Sequence, residues 1–139
     1  MIYVLDTNVL VAAVRSPQGA SAKILRRVLT ERLSVLCSVP LFLEYEAVLS
    51  RPEQLQAAGV SVADVANLLD VLAGKVQRVE IAYLWRPQLR DAADDMVLEA
   101  AVNGRATAII TFNQRDFLPQ TLTFGVAVLT PAQFFQGAR

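Results

Sequence analysis

Residues 2–8 read IYVLDTN, a short apolar run that is closed by an aspartate. Four consecutive apolar residues are typical of an inner strand of a parallel sheet, because such a strand is buried on both faces. The residues that follow, 7–14, have helical character, so the stretch predicts a strand that passes directly into a helix. Asp6 lies at that junction, either as the N-cap of the helix or as part of a site.

The rest of the chain continues the alternation of strands and helices. Further strands are predicted at residues 33–37, 76–81, 108–111 and 126–128, and further helices at 20–30, 40–49, 61–73, 91–103 and 131–135. Ser61 and Asp64 resemble a capping box, and Gly104 is placed to end a helix. The pattern predicts an α/β fold with a short, mainly parallel sheet flanked by helices. With 139 residues, we expect a single domain over 1–139.

The composition excludes several classes of protein. The chain is 54% hydrophobic, yet no stretch of about 18 uncharged apolar residues occurs, so we expect no membrane span. Asp6 interrupts the first apolar run and no basic segment precedes it, which argues against a secretory signal. The single cysteine, Cys37, excludes an internal disulfide and fits a buried thiol in a cytoplasmic protein. Because the chain has no histidine, chemistry here depends on other side chains, carboxylates above all.

Polar residues are predicted to gather at one edge of the sheet. In parallel sheets, sites form at the carboxyl ends of the strands. Asp6 follows the first strand, and Thr111 and Asn113 lie at or just beyond the end of another. These residues are therefore expected to lie close together.

Carboxylates supply the candidate site residues. Glu44 shares a helix face with Leu41 and Val48, so it lies either at the rim of the core or in a cleft. Asp91, Asp94 and Asp95 lie within five residues and repel one another. The positive end of a helix N-terminus offsets part of that repulsion, and capping explains one or two of these aspartates. The acidic candidates beyond Glu44 are Asp91, Asp94, Asp95 and Asp116, the last of which is alternatively a turn residue.

Carboxylates that converge on one edge need a cation to offset their charge. Oxygen ligands without histidine or cysteine favour Mg²⁺ or Mn²⁺ over zinc. Magnesium usually meets substrate phosphates, so the implied chemistry is metal-assisted hydrolysis of a phosphodiester.

The same residues carry a resemblance to a known family. The stretches Asp6–Asn8, 43–49, 91–95, 109–117 and 128–131 occur in an order that resembles PIN-domain ribonucleases, particularly VapC-like toxins of bacterial toxin–antitoxin pairs. The resemblance implies a three-layer α/β fold and a Mg²⁺- or Mn²⁺-dependent endoribonuclease. It makes Asp6, Glu44 and Asp94 the catalytic carboxylates. Asp91, Asp95 and Asp116 are further candidate metal ligands, and Thr7, Asn8 and Thr111 are implied second-sphere or phosphate-contacting groups.

One position departs from the family pattern. Many relatives carry an aspartate where this chain has Asn113, whose amide can hydrogen-bond a metal-bound water but brings no charge. The alternative function is therefore a catalytically inactive domain that binds RNA or protein. A haloacid-dehalogenase-type phosphotransferase is disfavoured because Asn8 stands where the second aspartate belongs. A receiver domain is disfavoured because no lysine follows Lys75.

Partners are suggested by charge and by the same resemblance. Thirteen basic residues balance thirteen acidic ones, but the first quarter of the chain is locally basic. The cations of this part are Arg15, Lys23, Arg26, Arg27 and Arg32, and they either form a solvated helix face or mark a binding surface. In a binding surface, the first four of them would contact RNA phosphates or receive an acidic antitoxin segment. The expected partners are an RNA substrate, a cognate antitoxin and a second copy of the chain in a homodimer.

Overall fold

A computed structural model describes residues 1–82 and 89–137. Within these residues the strands are β1 (Ile2–Leu5), β2 (Ser34–Cys37), β3 (Gln77–Arg78), β4 (Ala108–Ile110) and β5 (Ala127–Leu129). The helices are α1 (Thr7–Arg15), α2 (Ala20–Leu29), α3 (Val39–Leu49), α4 (Pro52–Ala58), α5 (Val62–Ala73), α6 (Ala92–Asn103), α7 (Gln120–Thr123) and α8 (Pro131–Gly137). A 3₁₀ turn covers Gln114–Asp116.

The strands form one parallel sheet in the order β3-β2-β1-β4-β5, with helices flanking it. In the register at the centre, Tyr3 pairs with Ala108 and Leu5 with Ile110. Because every strand runs in the same direction, all the carboxyl ends lie at one edge, where Asp6 and Thr111 follow β1 and β4. The predicted α/β class is confirmed.

The core explains why the central strands are apolar throughout. Val4, Ile109 and Ile110 have no exposed surface, as expected for strands covered on both faces. Burying each such side chain contributes roughly 1.5–3 kcal/mol. Cys37 is buried, as expected from its neighbours. The two central strands are therefore held in place by their buried side chains, which also fixes the positions of the residues that directly follow them.

Several local features differ from the expectations. Helix α4 was not predicted, and Pro52 lies in its first turn, where a missing N–H costs nothing. Strand β3 has only two residues, and α7 and the 3₁₀ turn were not predicted. Gly104 does end α6, but with φ of −91° rather than a left-handed conformation. Glycine is needed there because an added Cβ would lie 2.3 Å from Leu36 Cδ1.

The helices are short for membrane spans. Among residues 1–82 and 89–137, no single helix is long and apolar enough to cross a membrane. In the same residues, α4 and α5 reach that length and composition only when taken together, and they meet at a bend of 91°.

Candidate metal and nucleic-acid site

Asp6 is held at the end of β1 by hydrogen bonds to β4. Its backbone N–H donates to the carbonyl of Ile110 at 2.9 Å. The Thr111 hydroxyl donates to Asp6 Oδ2 at 2.7 Å, and both side chains are buried. Asp6 occupies the N-cap position of α1, yet its side chain makes no capping hydrogen bond. The carboxylate is therefore positioned by the neighbouring strand rather than used as a cap.

The three aspartates around the start of α6 have three different environments. Asp91 is the N-cap and accepts a hydrogen bond from the Ala93 N–H at 2.9 Å. Asp95 is buried and accepts from the Leu89 N–H at 3.1 Å, so it fastens the segment that precedes the helix. Asp94 is half-buried in the first turn. Successive helical residues point about 100° apart, which separates Asp94 from Asp95.

The loop after β4 brings the third set of polar groups. The Asn113 N–H donates to Thr111 Oγ1 at 3.0 Å, and the Phe112 N–H donates to Asn8 Oδ1 at 3.4 Å. These bonds tie the loop to β4 and to the start of α1. Asp116, in the 3₁₀ turn, is exposed.

These segments meet in one cleft at the carboxyl edge of the sheet. The cleft has a volume of about 260 Å³. Its lining consists of Asp6, Thr7, Asn8, Val11, Val48, Asp91, Asp94, Asn113 and Asp116. Four carboxylates from three separate parts of the chain thus share a small space, as the strand ends predict.

Burial, followed by repulsion between the carboxylates, raises the pKa of two of them. The pKa of Asp94 is raised from 3.8 to about 7, first by burial and then by the charges of Asp6, Asp91 and Asp116. The pKa of Asp6 is also raised, chiefly by burial, although the hydrogen bond from Thr111 lowers it. Both shifts mean that the cleft disfavours ionised carboxylates, first because they are buried and then because they repel one another.

A hard divalent cation fits this donor set by charge and by chemistry. The carboxylates and amides of the cleft offer oxygen ligands, which Mg²⁺ and Mn²⁺ prefer. No three His, Cys, Asp or Glu side chains are arranged to hold one ion together within residues 1–82 and 89–137. Magnesium keeps several of its waters and needs only one or two carboxylates, so this arrangement still suits it.

Four predicted site residues lie outside the cleft lining. One of them is Thr111, which reaches the cleft through its hydrogen bond to Asp6. Glu44 is half-buried on α3, one helical turn before the cleft residue Val48. Asp95 is engaged with Leu89, as described above. Arg15 lies exposed at the far end of α1, where its Nε donates to Gln54 Oε1 at 2.6 Å.

A wider groove of about 790 Å³ adjoins the cleft and shares Asp91, Asp94 and Asp116 with it. Arg90 and Arg115 line this groove. Neither arginine was predicted as a site residue. Each arginine directly precedes a cleft aspartate in the sequence, and this adjacency is the sequence signal that could have identified it. The groove therefore places cations beside a strongly acidic cleft.

Comparisons with known proteins agree with this architecture. The PIN domain family profile matches residues 3–115. The fold is similar to a chain in the crystal structure of VapBC2 from Rickettsia felis bound to a promoter DNA fragment. The sequence identity is 14% and the TM-score is 0.62, and the match covers 94% of this chain and 98% of that chain. It is also similar to a chain in the structure of FitAB bound to the IR36 DNA fragment, with 18% identity, a TM-score of 0.61, and coverage of 94% and 95%. No curated protein matches significantly. Because the family profile covers most of the sequence, the chain belongs to the PIN domain family.

Proposed function

We propose that this protein is a divalent-metal-dependent endoribonuclease that acts as the toxin of a toxin–antitoxin pair. The observation that carries the proposal is the meeting of Asp6, Asp91, Asp94 and Asp116 in one cleft. Ionising the half-buried Asp94 beside three other carboxylates costs stability, as its raised pKa indicates, first through burial and then through repulsion. Such a cost is typical of a functional site.

The carboxylates have distinct proposed roles. Asp6 and Asp94 hold the metal, with Asp91 and Asp116 as further candidate ligands. When bound, Mg²⁺ or Mn²⁺ supplies Lewis-acid polarisation of the phosphodiester and stabilises the charge that develops on it. Glu44 is retained as the third catalytic carboxylate because it lies on the same face of α3 as the cleft residue Val48.

Neighbouring polar groups complete the proposed catalytic pocket. Thr111 orients Asp6 through its 2.7 Å hydrogen bond. Thr7, Asn8 and Asn113 line the cleft and present hydroxyl and amide groups to a phosphate. Asn113 is neutral, so it contributes orientation of water or phosphate rather than charge. Arg15 is not assigned to this pocket because it is bonded to Gln54 at the other end of α1.

RNA is the substrate that the surroundings of the cleft favour. Arg90 and Arg115 line the adjoining groove, where guanidinium groups suit phosphates on either side of the cleavage point. Phe112, next to the cleft residue Asn113, is 49% exposed and offers a ring on which a base can stack. A base must be unpaired and unstacked to lie on this ring, so the surface favours a single strand over a duplex.

The biological setting is proposed from the structural neighbours and from the surface. The two similar folds belong to chains of the VapBC2 and FitAB assemblies, so we propose a cognate antitoxin here. The buried free thiol of Cys37 fits the cytoplasmic location that we expect from the sequence. Val39, Leu43 and Val71 expose large apolar side chains on α3 and α5. An exposed apolar face of this kind suits a homodimer interface.

A cleavage assay tests the catalytic proposal. Purified protein is incubated with end-labelled single-stranded RNA in Mg²⁺, Mn²⁺ or EDTA, alongside the Asp6→Asn and Asp94→Asn variants. Asp70→Asn, an exposed aspartate on α5, is the matched control. We expect metal-dependent cleavage by the wild type and the control, and a loss of at least about 100-fold in both cleft variants. RNA that is bound but not cut by the wild type would instead support an inactive binding domain, for which Asn113 is the structural argument.

A further inference from the structure

A second concave surface, separate from the acidic cleft, is strongly basic. This surface, the basic groove, has a volume of about 400 Å³. It is lined by Lys23, Arg26, Arg27, Thr30, Arg32 and Phe135. It shares no residue with the acidic cleft or with the groove beside that cleft. Arg32 precedes β2 by two residues, so this part of the groove lies at the amino ends of the strands, opposite the acidic cleft.

Helical spacing explains why the cations lie together. Lys23, Arg26 and Arg27 are three and four residues apart on α2, which places them on one face. The opposite face of α2 is held in the core by Ile24 and Val28. The basic face is therefore directed away from the core by the packing of the helix.

Two of the arginines are held in place by neighbouring groups. The Arg27 guanidinium lies 4.8 Å from the centre of the Phe135 ring and 5.9 Å from that of Phe134. Arg26 Nη1 donates to the carbonyl of Pro17 at 3.0 Å. Such contacts reduce the conformational entropy that an arginine loses when it binds an anion.

Within residues 1–82 and 89–137, no carboxylate forms an ion pair with a cation of the basic groove. Among the described residues, the ion pairs join Lys75 to Glu31 and Arg78 to Glu80, so no cation of the groove is paired with a carboxylate there. Glu31 is the acid closest in sequence, and it is bound by Lys75 at 3.2 Å. Like charges at helical spacing are mildly destabilising. Four cations without acidic partners therefore indicate a site for an external polyanion.

We propose that the basic groove binds the phosphate backbone of single-stranded RNA, as a contact remote from the acidic cleft. The lining favours RNA over an acidic peptide, because it combines four cations and a hydroxyl with a single ring. Peptide docking usually buries several apolar side chains, whereas backbone recognition needs cations at intervals along the strand. This inference does not require cleavage, since a groove that binds phosphates retains RNA whether or not the cleft cuts it.

Fluorescence anisotropy with a labelled single-stranded RNA of about 20 nucleotides tests the proposal. The full chain carries Asp6→Asn and is kept in EDTA, so that cleavage does not intervene. The groove variant is Lys23→Glu with Arg32→Glu. The control is Arg51→Glu with Arg78→Glu, which makes the same charge change outside both the basic groove and the acidic cleft. Thermal unfolding of each variant checks the fold, and Lys23→Gln with Arg32→Gln serves as a milder second variant.

The salt dependence supplies the expected magnitude. Each phosphate contact to a single strand contributes about 0.7 to the slope of log K against log salt, so losing two cations should reduce that slope by about 1.4. We expect affinity to fall about tenfold or more at low salt for the groove variant, and less than about twofold for the control. Equal losses in the groove and control variants would overturn the proposal. Tighter binding of labelled polyglutamate than of RNA would also overturn it.

Discussion

Replacing Asp94 by asparagine should stabilise the metal-free protein above neutral pH. Asp94 shares the acidic cleft with three other carboxylates, and its pKa is raised to about 7 mainly by burial and then by Asp6. Between about pH 4 and pH 7 the folded protein keeps the Asp94 proton while the unfolded chain releases it, so stability falls as the pH rises. The penalty is complete above pH 7 and absent below about pH 4. The asparagine variant never incurs this penalty.

The expected gain follows from that shift in pKa. A rise from 3.8 to about 7 corresponds to roughly 4 kcal/mol if it is taken at face value. Asp94 is only half-buried, so solvent screening reduces this to about 1–2 kcal/mol. Losing a negative charge in the first turn of α6 costs about 0.5 kcal/mol. The net gain is therefore about 1 kcal/mol, or about 3–4 °C in Tm for a chain of this size.

Urea and thermal unfolding in EDTA, at pH 8 and at pH 4, measure this effect. The asparagine variant should exceed the wild type at pH 8 and match it at pH 4, while Asp70→Asn should stay within about 0.5 kcal/mol of the wild type at both. Added Mn²⁺ should raise the Tm of the wild type more than that of the variant, because the ion offsets the same repulsion. A variant less stable than the wild type at pH 8, or equally stabilised at both pH values, would refute the electrostatic reasoning.

Three further substitutions test the supporting structure. Thr111→Val removes the hydroxyl that bonds Asp6, so urea unfolding should show a loss of about 1–3 kcal/mol, whereas Thr111→Ser should keep most of the stability. Gly104→Ala places a Cβ against Leu36 Cδ1, and equilibrium unfolding should show a loss of about 1–3 kcal/mol; an unchanged midpoint would mean that this contact relaxes freely. Ser61→Ala breaks the capping box of α5 and should lower stability by about 1 kcal/mol in thermal unfolding, with Ser61→Thr nearly neutral.

The strand ends were predictable from the sequence because burial imposes a simple pattern on inner strands. The apolar run of β1 and the polar residues after β4 placed Asp6 and Thr111 at one edge, and the structure joins them by a hydrogen bond. The parallel register then makes the carboxyl edge a meeting point for otherwise distant residues. The Thr111 bond itself was not foreseeable, because spacing along the chain carries no side-chain geometry.

The orientation of helices was harder to predict. Around α6 the residues after Asp95 are almost all apolar, so periodicity does not reveal which aspartate faces the cleft and which faces the core. The start of α4 was not predicted, because a proline such as Pro52 can either follow the end of one helix or lie in the first turn of the next. Glu44 shows the same ambiguity: sharing a face with Val48 brought it near the cleft without making it part of the lining.

A crystal grown or soaked in MnCl₂ would show whether the acidic cleft binds a metal ion, because anomalous scattering locates manganese without reference to the protein density. We expect a peak in the acidic cleft, with a carboxylate oxygen of Asp6 or Asp94 about 2.0–2.3 Å from the ion. Asp91 or Asp116 should approach the same ion directly or through water. Manganese bound elsewhere, with no peak among these four aspartates, would contradict the assignment of the cleft as a metal site.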